Sequence, residues 1–206
     1  LPPRQRSIYN TIDYSWRLLP PELADLLARC STFRGTFRNK DVTAITNGSA
    51  QQISKLIKRS LLHIDQQRNL SIHEMVRQFA ADKLAEEPEK AFLAQREHCE
   101  YYIQQLYSWW HGTESQHSVA YLNPRVDNIY VAWDWAFRNR RFELLCRAIF
   151  AYTQFHIYAG QIWDVLAKTE EYRRVLEQTP PPAESNEYKL FQEMKASFLY
   201  VQALFY

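Results

Sequence analysis

Four glycines, at positions 35, 48, 112 and 160, are scattered through 206 residues. That scarcity constrains the fold more than any other feature. Hairpin turns and bulges draw on glycine because it alone enters positive-φ backbone at little cost. Helices need none until they end. Glycines this far apart cannot form a phosphate loop of the G-x-x-x-x-G-K-[ST] type, so the chain holds no such loop of its own. The composition fits a helical globular protein: 46% hydrophobic, 23% charged and 15% aromatic residues. The abundance of rings implies bulky packing between helices.

Apolar residues recur at helical spacing from the start. Ser7 is expected to cap a helix from about Ile8 to Leu18, with Ile8, Ile12, Trp16 and Leu19 inward. Pro20-Pro21 ends it, and Pro21 starts a second helix, about Glu22 to Cys30, burying Leu23, Leu26 and Leu27. Thr32 to Phe37 is a connector with two aromatic anchors. Asn39 is read as the cap of a short helix, Lys40 to Thr46, and Asn47-Gly48 as a turn. Ser49 caps the next helix, Ala50 to about Arg59, with Ile53, Leu56 and Ile57 inward.

The one β signal follows. Leu61 to Asp65 and Leu70 to Glu74 flank the polar stretch Gln66-Gln67-Arg68-Asn69, a hairpin pattern. A helix leaves it at once, about Met75 to Leu84, with Met75, Val76, Phe79, Ala80 and Leu84 on one face. Three helices and a hairpin describe a winged helix, with the hairpin as the wing.

Pro88 is the expected boundary, giving a winged-helix domain at 1–87 and a helical region at 89–206. A long helix from Ala91 to about Trp110 carries Phe92, Leu93, Cys99, Tyr102, Ile103, Leu106 and Trp110 inward. Gly112 to Ala120 reads as a polar loop. Helices follow at about 123–138, 142–158 and 160–178. Thr179 to Pro182 is a rigid break, and a last helix starts near Ser185. Short connections make these helices antiparallel neighbours, the pattern of a tetratricopeptide-like (TPR-like) solenoid with degenerate repeats. The fold class is therefore mainly α: one winged helix with a β-hairpin, then an α-helical solenoid.

Several functions lack their residues. The net charge is +2, too small a field to favour nucleic acid or membrane. No apolar run approaches the ~18 residues of a membrane span. Cys30, Cys99 and Cys146 show neither disulfide nor metal spacing, which fits buried hydrophobes in a reducing compartment. His63, His98, His111, His117 and His156 form no metal-ligand pattern. No G-x-S-x-G elbow and no identifiable Cys/His pair supports nucleophilic catalysis. The rings of Trp109, Trp110, Trp133, Trp135 and Phe137 are read as interhelical core. The chain opens Leu-Pro-Pro-Arg, without initiator Met or signal peptide, and stops within the apolar pattern Leu199 to Tyr206. It is expected to continue on both sides in a cytoplasmic parent protein.

Four segments, taken in chain order with the first two together, carry a resemblance. Tyr14-Ser15-Trp16-Arg17-Leu18-Leu19-Pro20 and Ser31-Thr32-Phe33-Arg34-Gly35-Thr36-Phe37 come first. Ile72-His73-Glu74 followed by Met75-Val76-Arg77-Gln78-Phe79-Ala80 comes second. Asn128-Ile129-Tyr130-Val131-Ala132-Trp133-Asp134-Trp135-Ala136 comes last. Across about residues 7–178 the chain resembles the winged-helix subdomain and following TPR-like region of STAND-class, NB-ARC-like signalling ATPases, including bacterial transcriptional regulators. Ile72 stands where the family has Met, and Glu74 where it has Asp.

The resemblance implies that His73 senses the β-phosphate of ADP bound by an upstream P-loop domain and so holds the parent closed. ADP and ATP would then be cofactors of the parent, and the fragment itself would hold none and be no enzyme. Its partners would be the upstream nucleotide-binding domain and an effector, protein or small molecule, on the helical region from Asn123 onward. The alternative is a DNA-binding winged helix reading duplex through Gln51, Gln52, Ser54, Lys55, Lys58 and Arg59. Arg77 is a candidate to position the wing or pair with Glu74.

Overall fold

In the computed structural model, which describes residues 3–112 and 122–203, helices account for most of the chain. Ten α-helices and one two-stranded antiparallel sheet occur among the described residues. The chain divides into two compact units, Leu1–Tyr101 and Tyr102–Tyr206.

The first unit opens with α1 (Pro3–Arg17). This helix begins before Ser7, so Ser7 lies inside it rather than capping it. Pro20-Pro21 stops the chain as expected, and Pro21 becomes the first residue of α2 (Pro21–Cys30), where its missing N–H costs nothing. Leu23, Leu26 and Leu27 are buried. Helix α3 (Asn39–Thr46) is capped at Arg38, not Asn39. The reason is Asp41, whose carboxylate accepts from the Arg38 backbone N–H at 2.8 Å and pulls the helix start back by one residue. Asp41 is fully buried yet satisfied, because the Tyr101 hydroxyl also donates to it at 2.7 Å.

Helix α4 (Ala50–Lys58) starts with the capping box its sequence promises. Ser49 Oγ accepts from Gln52 N at 3.2 Å, and Gln52 Oε1 accepts from Ser49 N at 2.8 Å. Strands β1 (His63–Ile64) and β2 (Leu70–Ser71) pair His63 with Ser71 and Ile64 with Leu70. Phe37 bridges Leu70 from the other side. The strands are shorter than the sequence pattern, because Glu74 belongs to α5 (Glu74–Ala85) and His73 already caps it. Phe33 stacks on Phe37 at 4.3 Å between ring centroids. Leu70 and Phe79 are buried in the same unit, and Tyr9 and Trp16 of α1 lie against Phe79.

Pro88, the expected boundary, is the first residue of α6 (Pro88–His111), and the division between units falls inside this helix. Its first turns face inward through small side chains. Ala94 joins Ala28 and Leu84 in one apolar cluster, with Ala91 and Trp16 beside it. Phe92 and Leu93, expected in the core, are 48% and 39% exposed instead. A contact built on alanines has no room for them.

The second unit contains a 3₁₀ turn at Asn123–Arg125 followed by α7 (Val126–Arg138), α8 (Phe142–Tyr158), α9 (Ile162–Gln178) and α10 (Asn186–Ala203). The bounds of α8 coincide with the sequence reading. The Gly112–Ala120 loop lies almost wholly outside the described residues. Helix α8 packs on α7, α9 and α10, and α9 packs on α10. Trp109, Trp133 and Phe137 are buried, as expected of interhelical core. None of the three cysteines is in a disulfide, and burial pushes the Cys30 and Cys146 thiols up to about 12 and about 11.

Two reversals in this unit are built alike. After α7, Arg141 N donates to the Ala136 carbonyl at 2.8 Å and Arg140 N to the Phe137 carbonyl at 3.0 Å, with Arg140 at φ 54°. After α8, Gln161 N donates to the His156 carbonyl at 2.8 Å and Gly160 N to the Ile157 carbonyl at 3.1 Å, with Gly160 at φ 71°. Both are Schellman closures, which satisfy the last carbonyls and turn the chain within two residues.

Gly48 serves a different need. A Cβ there would lie 2.6 Å from Leu26 Cδ1. Replacing Gly48 by Ala is expected to destabilise the chain by about 1–2 kcal/mol, the usual cost of overpacking, measured as a lower urea midpoint with unchanged slope.

Candidate functional site

The N-terminus of α5 brings together the residues that the sequence singles out. His73 sits at the cap position with extended backbone, φ −61° and ψ 135°. Its ring Nδ1 accepts the Met75 backbone N–H at 3.3 Å. A neutral imidazole that accepts at Nδ1 carries its proton on Nε2. The His73 side chain is exposed, and among the described residues nothing occupies Nε2. The cap therefore fixes the tautomer and leaves one N–H donor facing solvent, where the helix dipole favours negative charge.

Two guanidiniums and one carboxylate surround this point. Arg77 grips Glu74 through Nε at 2.7 Å and Nη2 at 2.6 Å, and Gln78 donates to the same carboxylate at 2.8 Å. The hydrogen bond from Arg77 is the largest cause holding Glu74 at about 2, with Gln78 and the charges of Arg77 and Arg34 adding to it against desolvation. The expected Arg77–Glu74 pair is thus present, and Glu for Asp at 74 still reaches its partner. Arg34 donates to the carbonyls of Ser31 and Phe33 at 2.8 and 2.9 Å. Burial, then the charge of Arg77, lowers its basicity. Arg34 and Arg77 thus both lie close enough to the Glu74 carboxylate to act on its charge at the helix start.

The α4 residues lie elsewhere. Gln51, Ser54, Lys55, Lys58 and Arg59 are exposed, whereas Gln52 is committed to the capping box. Among the described residues, Gln51, Lys55, Lys58 and Arg59 make no ion pair or side-chain hydrogen bond. Arg59 is the C-cap of α4, and Ser60 after it takes φ 58° to close the helix.

A second constellation, absent from the sequence reading, lies within the second unit. Tyr130 and Asp134 of α7, Tyr152 and His156 of α8, and Asp164, Lys168 and Tyr172 of α9 line a cavity of about 320 Å³. Each helix contributes residues four apart, one stripe per helix. That spacing was the available signal, hidden because tyrosines at such positions also read as core. The Tyr172 hydroxyl donates to Asp134, and Lys168 Nζ lies 3.5 Å from the same carboxylate and 3.1 Å from Glu171. His156 is 1% exposed, and its Nδ1 donates to the Tyr152 carbonyl at 2.8 Å. Desolvation lowers its basicity, so the ring is neutral near pH 7. Tyr152 stacks on Trp133 at 4.0 Å, and the Tyr130 hydroxyl donates to Gln161 at 3.2 Å.

No group of three or more His, Cys, Asp or Glu among the described residues is placed to hold a metal ion, and no helix among them is long and apolar enough to cross a membrane. Compared with protein-family models, curated proteins and solved structures, the chain matches none.

The cap role of His73 has a measurable consequence. His73→Ala should lower unfolding stability by about 1 kcal/mol, and His73→Ser should recover most of it, since serine caps helices well. Equal losses in urea titrations of both variants would assign the ring a packing role instead.

Proposed function

We propose that this chain is the regulatory part of a signal-transduction ATPase in which residues 1–87 form a winged-helix lid and the helical region is a TPR-like effector- or protein-binding solenoid. On this reading His73 closes the lid over ADP held by an upstream P-loop domain of the parent, and the fragment itself catalyses nothing. The supporting observation is the His73 cap. With Nδ1 occupied by Met75 N–H, the exposed Nε2–H is a fixed donor at the start of a twelve-residue helix. A phosphate oxygen meeting it gains a charge-assisted bond and the field of Arg34, Arg77 and the helix end. The closed state is then favoured by ADP, and a ligand on the solenoid favours the open one.

The test separates sensing from capping. In the parent with its upstream domain, His73→Ser keeps the cap but loses the outward N–H. It should shed co-purifying ADP and raise basal activity while melting close to the native temperature. ADP content equal to that of the native protein would sink the sensor role.

A second reading, direct contact with duplex DNA, is favoured by the exposed and unpaired Gln51, Lys55, Lys58 and Arg59 on one helix. It requires affinity that falls steeply with salt. Neutralising Lys55, Lys58 and Arg59 together should then flatten the slope of log affinity against log salt by about 2–3. Affinity that is absent, or indifferent to salt, disposes of this reading.

A further inference from the structure

The cavity among α7, α8 and α9 has charges and hydrogen-bonding positions left over, and most of them are of one kind. Asp134 is engaged twice, by the Tyr172 hydroxyl and by Lys168. Lys168 is engaged by Asp134 and Glu171 and lies 5.1 Å from the centroid of the Tyr172 ring. Asp164 is exposed and has neither ion pair nor hydrogen bond among the described residues. His156 is almost wholly buried. Its Nδ1 is spent on the Tyr152 carbonyl, and no described residue hydrogen-bonds its Nε2. That nitrogen, in the tautomer the carbonyl imposes, only accepts. The Tyr152 hydroxyl is open to either role.

The open positions are therefore a carboxylate and a ring nitrogen that accept, with one hydroxyl that adapts. Two carboxylates against one ammonium leave the wall with a charge of −1. Carboxylate or phosphate ligands would meet Asp164 unfavourably. The remaining wall is tyrosine, from Tyr130, Tyr152 and Tyr172. Aromatic faces attract cations as well as apolar groups, and Lys168 over Tyr172 is an instance within the same wall. The volume, about 320 Å³, is at the small end of ligand pockets.

We infer that this cavity binds a small organic ammonium ion, its N–H groups donating to Asp164 and to Nε2 of His156 and its apolar part lying among the tyrosines. Burial raises the pKa of the Tyr130 hydroxyl, and the charges of Asp164 and Asp127 raise it further, in keeping with a negative field at this end. Metal chemistry is a poorer match, since no three His, Cys, Asp or Glu side chains among the described residues are grouped to hold an ion. The inference does not rest on the nucleotide reading of His73.

The experiment titrates the full 206-residue chain with phenethylammonium, followed by heteronuclear NMR. The neutral and anionic counterparts are 2-phenylethanol and phenylacetate. Phenethylammonium should give saturable shifts confined to α7–α9 with a dissociation constant of about 1 mM or tighter. The alcohol should bind at least about tenfold more weakly, and phenylacetate not at all. Asp164→Asn, at an exposed position with no side-chain bond to lose, should weaken amine binding roughly fivefold. Lys168→Gln uncovers Asp134 and should strengthen binding roughly fivefold, a direction that damage to the fold would not produce. Equal affinity for amine and alcohol would reduce the site to an apolar cleft and overturn the assignment. So would an affinity that neither substitution changes, or the absence of saturable shifts. His73→Ser should bind the amine as the native chain does, so failure at the cavity and failure at α5 are read separately.

Discussion

Everything in this fold depends on how its helices are stopped. A helix end leaves carbonyls without partners, and a buried chain cannot leave them so. Here the closure is a residue in left-handed backbone with a hydrogen bond reaching back over the last turn. It recurs after α4, where Leu61 N donates to Leu56 at 3.0 Å, and after α7 and α8. A sequence with four glycines supplies only Gly160 for this purpose. Asn47, Ser60 and Arg140 take the left-handed positions after α3, α4 and α7, at φ 57°, 58° and 54°. Each is a less comfortable choice than glycine. The closure after α4 sets the entry of the hairpin. The closure after α8 sets Gln161 beside Tyr130 and fixes the end of the helix that carries His156.

Much of the fold was legible because local chemistry and tertiary packing agree. Ser49 and Gln52 announce a capping box and make one. Pro20-Pro21 ends one helix and starts another. Phe142 to Tyr158 is rich in aromatic and aliphatic residues between two short connections, and its approximate bounds match the helix. Two of the misreadings share a cause, a side-chain contact that the hydrophobic pattern does not encode. Asp41 overrides Asn39 as the determinant of the α3 start. The alanine contact of Ala28 and Ala94 turns Phe92 and Leu93 outward. Ser7 fails as a cap position for a different reason: α1 already begins at Pro3.

The candidate sites differ in the same way. His73 was singled out by resemblance, from a strand, triplet and helix contiguous in sequence, and its use of Nδ1 as a cap was not foreseen. The tyrosine-lined cavity was not legible, because its seven residues come from three helices and each reads alone as an ordinary amphipathic position. Only the packing of α8 against α7 and α9 turns three separate stripes into one wall.

The four-residue spacing of those stripes makes the cavity a ladder with discrete rungs. Along α9 the rungs are Asp164, Lys168 and Tyr172, separated by about one helical turn, roughly 5.4–6 Å of rise. Sliding that helix by one turn would exchange an anion for a cation at the same point in the wall, and a further turn would present a phenol. Intermediate positions would leave side chains between grooves, which close-packed helices resist. Such a wall changes its chemical character in steps rather than by degrees. A helix shifted in this way would thus not tune this cavity but replace it with a different one.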